Sequence, residues 1–219
     1  MREISATLDI LGYKSPKLIS YGYVLLNGNK MSASNGVGVL VTDFIKTIKD
    51  LLSEEFKNRD IEITDDKLDI LMNACIKYAM LNVSKHKVVD FNIENATSFK
   101  GESGIYILYS IVRINSIVNK SNILVDDIKY TNELEYKILK DLYSFEELID
   151  NLLVSNEPST LTKYIFNLTQ KFSAYYEQVN ILNEEDEVLR SSRIRLIKCI
   201  RQVLSNSLRI LGIKTIDKM

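Results

Sequence analysis

Beyond Thr42 the apolar positions recur at helical spacing along almost the whole chain, so each segment carries one apolar and one polar face. Residues 2–11 predict a short helix closed by Gly12. The stretches Tyr21-Gly22-Tyr23-Val24-Leu25-Leu26 and Val37-Gly38-Val39-Leu40-Val41 depart from that spacing and predict two strands. Between them lie the turn-prone Asn27-Gly28-Asn29 and a polar loop. Thr42 or Asp43 is placed to cap a helix running to about Lys57, and Thr64-Asp65-Asp66 to cap another running to about Val83. Ser84–Gly104 is polar and irregular, with short extended pieces around Val88–Ile93. Four further helices are expected, over about Ile105–Asn119, Asn132–Leu153, Pro158–Gln178 and Glu184–Leu211. Pro158 sits where a first-turn proline is tolerated, and Gly212 stops the last helix.

Composition strengthens this picture. Only 8 glycines and 2 prolines in 219 residues disfavour a turn-rich β architecture. The expected fold class is mostly α, a helical bundle with a small β-hairpin or loop element near the N-terminus. Apolar residues at 46% and charged ones at 26% fit a packed globular chain. No apolar run reaches the roughly 18 residues of a membrane span, so no membrane partner is expected. The opening Met1-Arg2-Glu3-Ile4-Ser5-Ala6 lacks the apolar stretch of a secretory signal. Cys75 and Cys199 form no metal or redox spacing, and a cytoplasmic location is the expectation. His86 is the lone histidine, which excludes multi-histidine zinc sites and histidine-pair nucleotidyl transfer; no metal site is expected. Flanked by Lys85 and Lys87, it reads as a solvated loop residue.

Charge adds an asymmetry. From Val188 to Met219 there are eight basic residues against Asp217 alone, although the whole chain carries a net charge of −1. On a helical projection Arg190, Arg201, Lys198, Arg209 and Arg195 share one arc, while Leu189, Leu196, Ile200, Val203, Leu204 and Leu211 occupy the opposite one. Such a basic face either tracks phosphates or keeps the protein solvated. Arg193 falls inside the apolar arc, where its charge needs a partner, and a structural ion pair with a carboxylate of a neighbouring helix is expected. Tyr164, Phe172, Tyr175 and Tyr176 are expected in the core.

Four stretches in order resemble the C-terminal part of the arginyl-tRNA synthetases, class I enzymes. Lys30-Met31-Ser32-Ala33-Ser34-Asn35-Gly36 resembles the family's KMSK-type loop, preceded by the matching Tyr21–Leu26 strand. Ala74–Leu81 is similar to the helix before the family's irregular segment, and Phe91–Arg113 to its phenylalanine-containing run into a Gly-x-x-Gly-Pro-Tyr-Leu-Gln-Tyr helix. Tyr164–Tyr176, Leu189–Arg195 and Gln202–Met219 resemble the all-helical, DALR-type anticodon-binding domain. The departures are equally specific. With His86 alone, the family's ATP-binding His-x-Gly-His motif and its nucleotide fold are absent from this sequence. Ala33 and Asn35 replace polar or basic loop positions, leaving a degenerate loop of Lys30, Met31 and Ser32, and Ile105 and Leu108 replace the family's proline and glutamine.

The resemblance implies that residues 1–100 are the end of a synthetase catalytic region and residues 101–219 an anticodon-binding-like domain. It implies a tRNA partner, of the arginine type, taken between the Ile105–Asn119 helix and the C-terminal end. Tyr106, Tyr109 and Arg113 would contact the loop, Arg195, Lys198 and Arg209 its phosphates, with Met219 near the loop. Tyr106 and Tyr109, three residues apart, also fit half-buried packing positions. No catalytic residue and no cofactor is expected for this chain alone; ATP enters only if a separate catalytic part completes it. Three readings stand at this point, in this order: a tRNA-binding module unable to aminoacylate by itself, the C-terminal portion of an active arginine–tRNA ligase awaiting its catalytic half, and a helical protein-interaction or oligomerisation scaffold.

Overall fold

The computed structural model describes residues 2–16, 18–30, 39–122 and 125–219. The first helix, α1 (Arg2–Ile10), is closed by Gly12 at φ +76°, where a left-handed backbone suits glycine. Strands β1 (Val24–Leu26) and β2 (Asn29–Lys30) form an antiparallel hairpin around Asn27-Gly28, both at positive φ. Two such residues make the tight turn whose twist matches its strands. The Asp90 carboxylate accepts the Gly28 N–H at 2.7 Å and fixes it further.

The partner of β1 on its other side is not the predicted Val37–Val41 strand. It is β3 (Val89–Phe91), which pairs in parallel with Val24 opposite Val89, giving the order β2-β1-β3. Val39 and Leu40 are not in a strand, and Val41 begins α2 (Val41–Asn58); Val37 and Gly38 lie outside the described residues. Neither Thr42 nor Asp43 caps α2. Leu40 is its N-cap, without a side-chain hydrogen bond. Thr64 does precede α3 (Asp65–Leu81), again with no side-chain cap bond.

After α4 (Ile93–Thr97), the central helix α5 (Gly104–Asn119) carries the largest apolar share. It buries Ile105, Ile107, Leu108, Ile111, Ile114 and Ile117. Packing on α3 is close at its start: a Cβ on Gly104 would lie 2.5 Å from the Ala74 carbonyl oxygen, so only glycine fits. The predicted Asn132–Leu153 helix is two helices, α6 (Glu133–Tyr143) and α7 (Phe145–Ser155), joined at Ser144. There the Ser144 hydroxyl (2.9 Å) and the Tyr164 hydroxyl (2.8 Å) both donate to the Asp141 carbonyl. These side chains satisfy a main-chain acceptor at the helix end. Helix α8 (Pro158–Gln178) starts on its proline, and α9 (Glu187–Ile210) ends before Gly212 at φ +68°. The core joins α2, α3, α5, α6, α8 and α9, with Tyr78, Phe56, Phe172 and Tyr175 among its largest buried side chains. The molecule is a mostly helical bundle with a small three-stranded sheet. No described helix is long and apolar enough to cross a membrane.

Candidate nucleic-acid interface

Helix α5 begins at an N-cap, Ser103, whose hydroxyl oxygen accepts the Tyr106 N–H at 3.1 Å. With the isoleucine face of α5 turned to the core, Tyr106, Tyr109 and Arg113 emerge half-buried along its margin. The Tyr106 hydroxyl is hydrogen-bonded to Ser173 Oγ at 2.8 Å and its ring meets Phe166 edge-on, which makes it a packing residue between α5 and α8.

Arg113 is held differently. Its guanidinium carbon lies 4.8 Å from the centroid of Tyr109 and 4.9 Å from that of Tyr176, and Nη2 donates to the Tyr109 hydroxyl at 3.2 Å. No carboxylate pairs with it among the described residues. Tyr109 also meets Phe99 edge-on at 6.5 Å, and Arg59 lies 4.2 Å above the Phe99 ring. A ladder of cations and rings, Arg59–Phe99–Tyr109–Arg113–Tyr176, therefore runs from the end of α2 through α5 to α8. Each such stack contributes about 0.5–1 kcal/mol at exposed positions, and more where water is excluded.

Tyr176 is the member the sequence misplaced. It is 42% exposed rather than in the core, whereas Phe172 and Tyr175 are fully buried and Tyr164 is half-buried. Adjacent residues on a helix point about 100° apart, and on α8 the buried face runs through Leu168, Phe172 and Tyr175, which turns Tyr176 towards its margin. That geometry was the available signal. Arg59 and Phe99 had none, because their pairing joins α2 to the loop before α5. Tyr176 also borders a cavity of about 510 Å³ lined by Ile117 and residues 177–183.

The basic arc of α9 is in large part engaged by the protein itself. Arg193 is 7% exposed, with Nε 3.0 Å from Glu135 and Nη1 2.6 Å from Glu184, which is the ion pair its apolar position demands. Burial alone would raise the Glu135 carboxyl. The main-chain N–H groups of Asn132 and Thr131, the Tyr175 hydroxyl and Arg193 outweigh it and hold the group below the usual carboxylate range. Burial and the bond to Glu135 push the Tyr175 phenol up. Arg195 donates to the carbonyls of Asp126 (2.7 Å), Asp127 (3.3 Å) and Val125 and to the Asp126 carboxylate (2.9 Å). With Ser192 Oγ accepting the Lys129 N–H at 2.8 Å, it pins the segment before α6 onto α9. This corrects the picture of Arg195 as a freely offered phosphate ligand. Arg190 donates to the Glu184 carbonyl and Arg201 to Asn115 Oδ1. Of the residues expected at phosphates, Lys198 is half-buried and Arg209 exposed, and neither has an ion pair among the described residues.

The C-terminal tail returns to α5. Asn115 Nδ2 donates to the Asp217 carbonyl at 3.4 Å, and Ile213, Ile216 and Met219 pack against the core. Lys30 is exposed at the end of β2; Met31 and Ser32 lie outside the described residues. His86 is exposed in its loop, 3.3 Å from Ser20 Oγ.

Fold and site together describe an all-helical domain that presents tyrosine and arginine side chains on one margin and lysine and arginine on another. The model of the DALR anticodon binding domain matches residues 107–219, more than half of the sequence. The chain belongs to that family. The arginine–tRNA ligase of Clostridium beijerinckii is 30% identical over all of this chain and 40% of its own length. That of Methanococcoides burtonii is 30% identical over 99% of this chain and 40% of its own. This chain thus spans about 40% of the length of these curated relatives. Among solved structures, Thermus thermophilus arginyl-tRNA synthetase superposes with a TM-score of 0.88 at 24% identity, over 99% of this chain and 38% of that one, a likeness of fold. The Plasmodium falciparum enzyme gives a TM-score of 0.72 at 29% identity, over 91% of this chain and 34% of that one.

Proposed function

We propose that this chain binds tRNA at its anticodon arm, with Arg113 as the central contact, and does not aminoacylate by itself. The observation that carries the reading is the guanidinium of Arg113 held against Tyr109 and Tyr176, with no carboxylate paired to it among the described residues. Unpaired RNA bases are recognised by stacking on aromatic and guanidinium planes, at about 1–3 kcal/mol per base. Lys198 and Arg209 supply phosphate contacts. Met219 gives the loop an apolar neighbour, and Tyr106 buttresses α5 against α8. The names of the relatives point to the arginine tRNA. In this reading residues 101–219 hold the RNA and residues 1–100 descend from a catalytic region. Fluorescence anisotropy with an anticodon-arm RNA of an arginine tRNA tests it. Binding that weakens steeply between low and moderate salt is expected; no binding at micromolar protein in low salt overturns it.

A second reading, a ligase portion completed by a separate catalytic part, draws on the N-terminal surface. Ile10, Leu11, Tyr13, Leu18, Ile19, Tyr21 and Tyr23 are all more than half exposed. So many exposed large apolar side chains in one short stretch favour a protein partner there. Arginylation restored by mixing the chain with a catalytic part of an arginyl-tRNA synthetase supports this reading, and no product from the mixture rejects it.

A further inference from the structure

The cation–aromatic ladder does not end at the site just proposed. Its α2 end opens onto a separate cavity of about 330 Å³, lined by Arg59, Asn58, Phe99, Lys100, Glu54 and Glu94 among others. Arg59 is the floor of that cavity in chemical terms. Its guanidinium lies 4.2 Å from the Phe99 centroid, and Glu55 holds Nε at 2.8 Å and Nη2 at 2.7 Å. A guanidinium fixed by a ring on one side and by a carboxylate at its edge offers a planar, oriented surface. Phe99 is itself anchored by edge contacts to Phe56 at 5.2 Å and Tyr109 at 6.5 Å, so the plane cannot drift.

We propose that Arg59 and Phe99 form a second nucleobase-stacking subsite, which takes another unpaired nucleotide of the RNA held at Arg113. The inference rests on the RNA-binding reading above and extends it to a second element of the fold. The charge around the cavity selects what enters. Glu54 and Glu94 carry free carboxylates among the described residues, which repel a phosphate and accept hydrogen bonds from ring N–H and amino groups. A base therefore enters by its donor-bearing edge while its phosphate stays outside, beside Lys100. Guanine, with N1–H and N2–H₂ adjacent, matches a carboxylate in two bonds; uracil offers a single donor.

The test uses the full chain and anticodon-arm hairpins carrying 6-methylisoxanthopterin, a fluorescent guanine analogue that keeps the N1–H and amino donors, at one loop position at a time, so that stacking quenches the fluorescence. Two separated positions should be quenched on binding. Quenching at one should vanish in Arg113→Ala and at the other in Arg59→Ala, each with about tenfold weaker affinity, the scale of one lost stack. Arg59→Lys keeps the charge but not the plane, and should behave like Arg59→Ala. Phe99→Leu, which keeps a large apolar group against Phe56, reports the ring's part without emptying the core, and should weaken quenching at the Arg59-dependent position alone. Binding that Arg59→Ala leaves unchanged, or that Arg59→Lys fully restores, overturns the second subsite while leaving the Arg113 site standing. Absence of hairpin binding by the unaltered chain removes both.

Discussion

Arg193 and Arg113 are both withdrawn from bulk water, yet their surroundings differ in kind. Arg193 is bound to two carboxylates and a main-chain carbonyl, inside a network in which Glu135 has no exposed surface. Arg113 has two tyrosine rings and a phenol oxygen, and no carboxylate pairs with it among the described residues. The first arrangement consumes the cation in holding α6 and α9 together. The second orients a cation without neutralising it, which suits a group that must still attract something.

That contrast can be broken most severely at Glu135. Glu135→Leu strands Arg193 with a single carboxylate and leaves the Tyr175 hydroxyl without its acceptor, and should lower stability by about 3–5 kcal/mol, read from denaturant unfolding. Acid gives a milder version of the same loss. The Glu135 carboxyl titrates lower in the folded chain than in the unfolded one. Its contribution is thus complete at neutral pH and declines as pH falls below about 4.3, the ordinary glutamate value, towards the folded one. A melting temperature that is flat from pH 7 to 5 and falls below that range is expected, with a shallower fall in Glu135→Gln. Arg113→Ala should shift the balance towards binding: RNA affinity reduced by about 1–3 kcal/mol, with a stability loss of only about 1–2 kcal/mol from its two ring contacts, well below that of Glu135→Leu. Arg195→Ala sharpens the comparison with the smallest effect. It should loosen the segment before α6, seen as faster amide exchange near Asp126 and Asp127, and leave RNA affinity within about 0.5 kcal/mol.

Periodicity found the helices because each has one strongly apolar face, and Pro158 and Gly212 marked real boundaries. It failed where tertiary contacts decide. Nothing local to Val89–Phe91 says that it pairs with β1, since parallel partners are far apart in sequence. Nothing in a continuous helical pattern shows the turn at Ser144, which depends on Tyr164 reaching Asp141. The site was legible in part: Tyr109 and Arg113 lie four residues apart on one helix and so must meet. Tyr176, Phe99 and Arg59 come from other elements and required the fold. The basic arc of α9 was visible as an arc, but a helical projection cannot show that main-chain carbonyls at 125–127 already occupy Arg195.

The parallel pairing of β1 with β3 has a consequence for the order in which the molecule assembles. The strands join across the whole of α2 and α3, so their alignment depends on loop closure that those helices must first make affordable. The hairpin that ends at Lys30 should therefore lock late and open early, ahead of the helices it rests on.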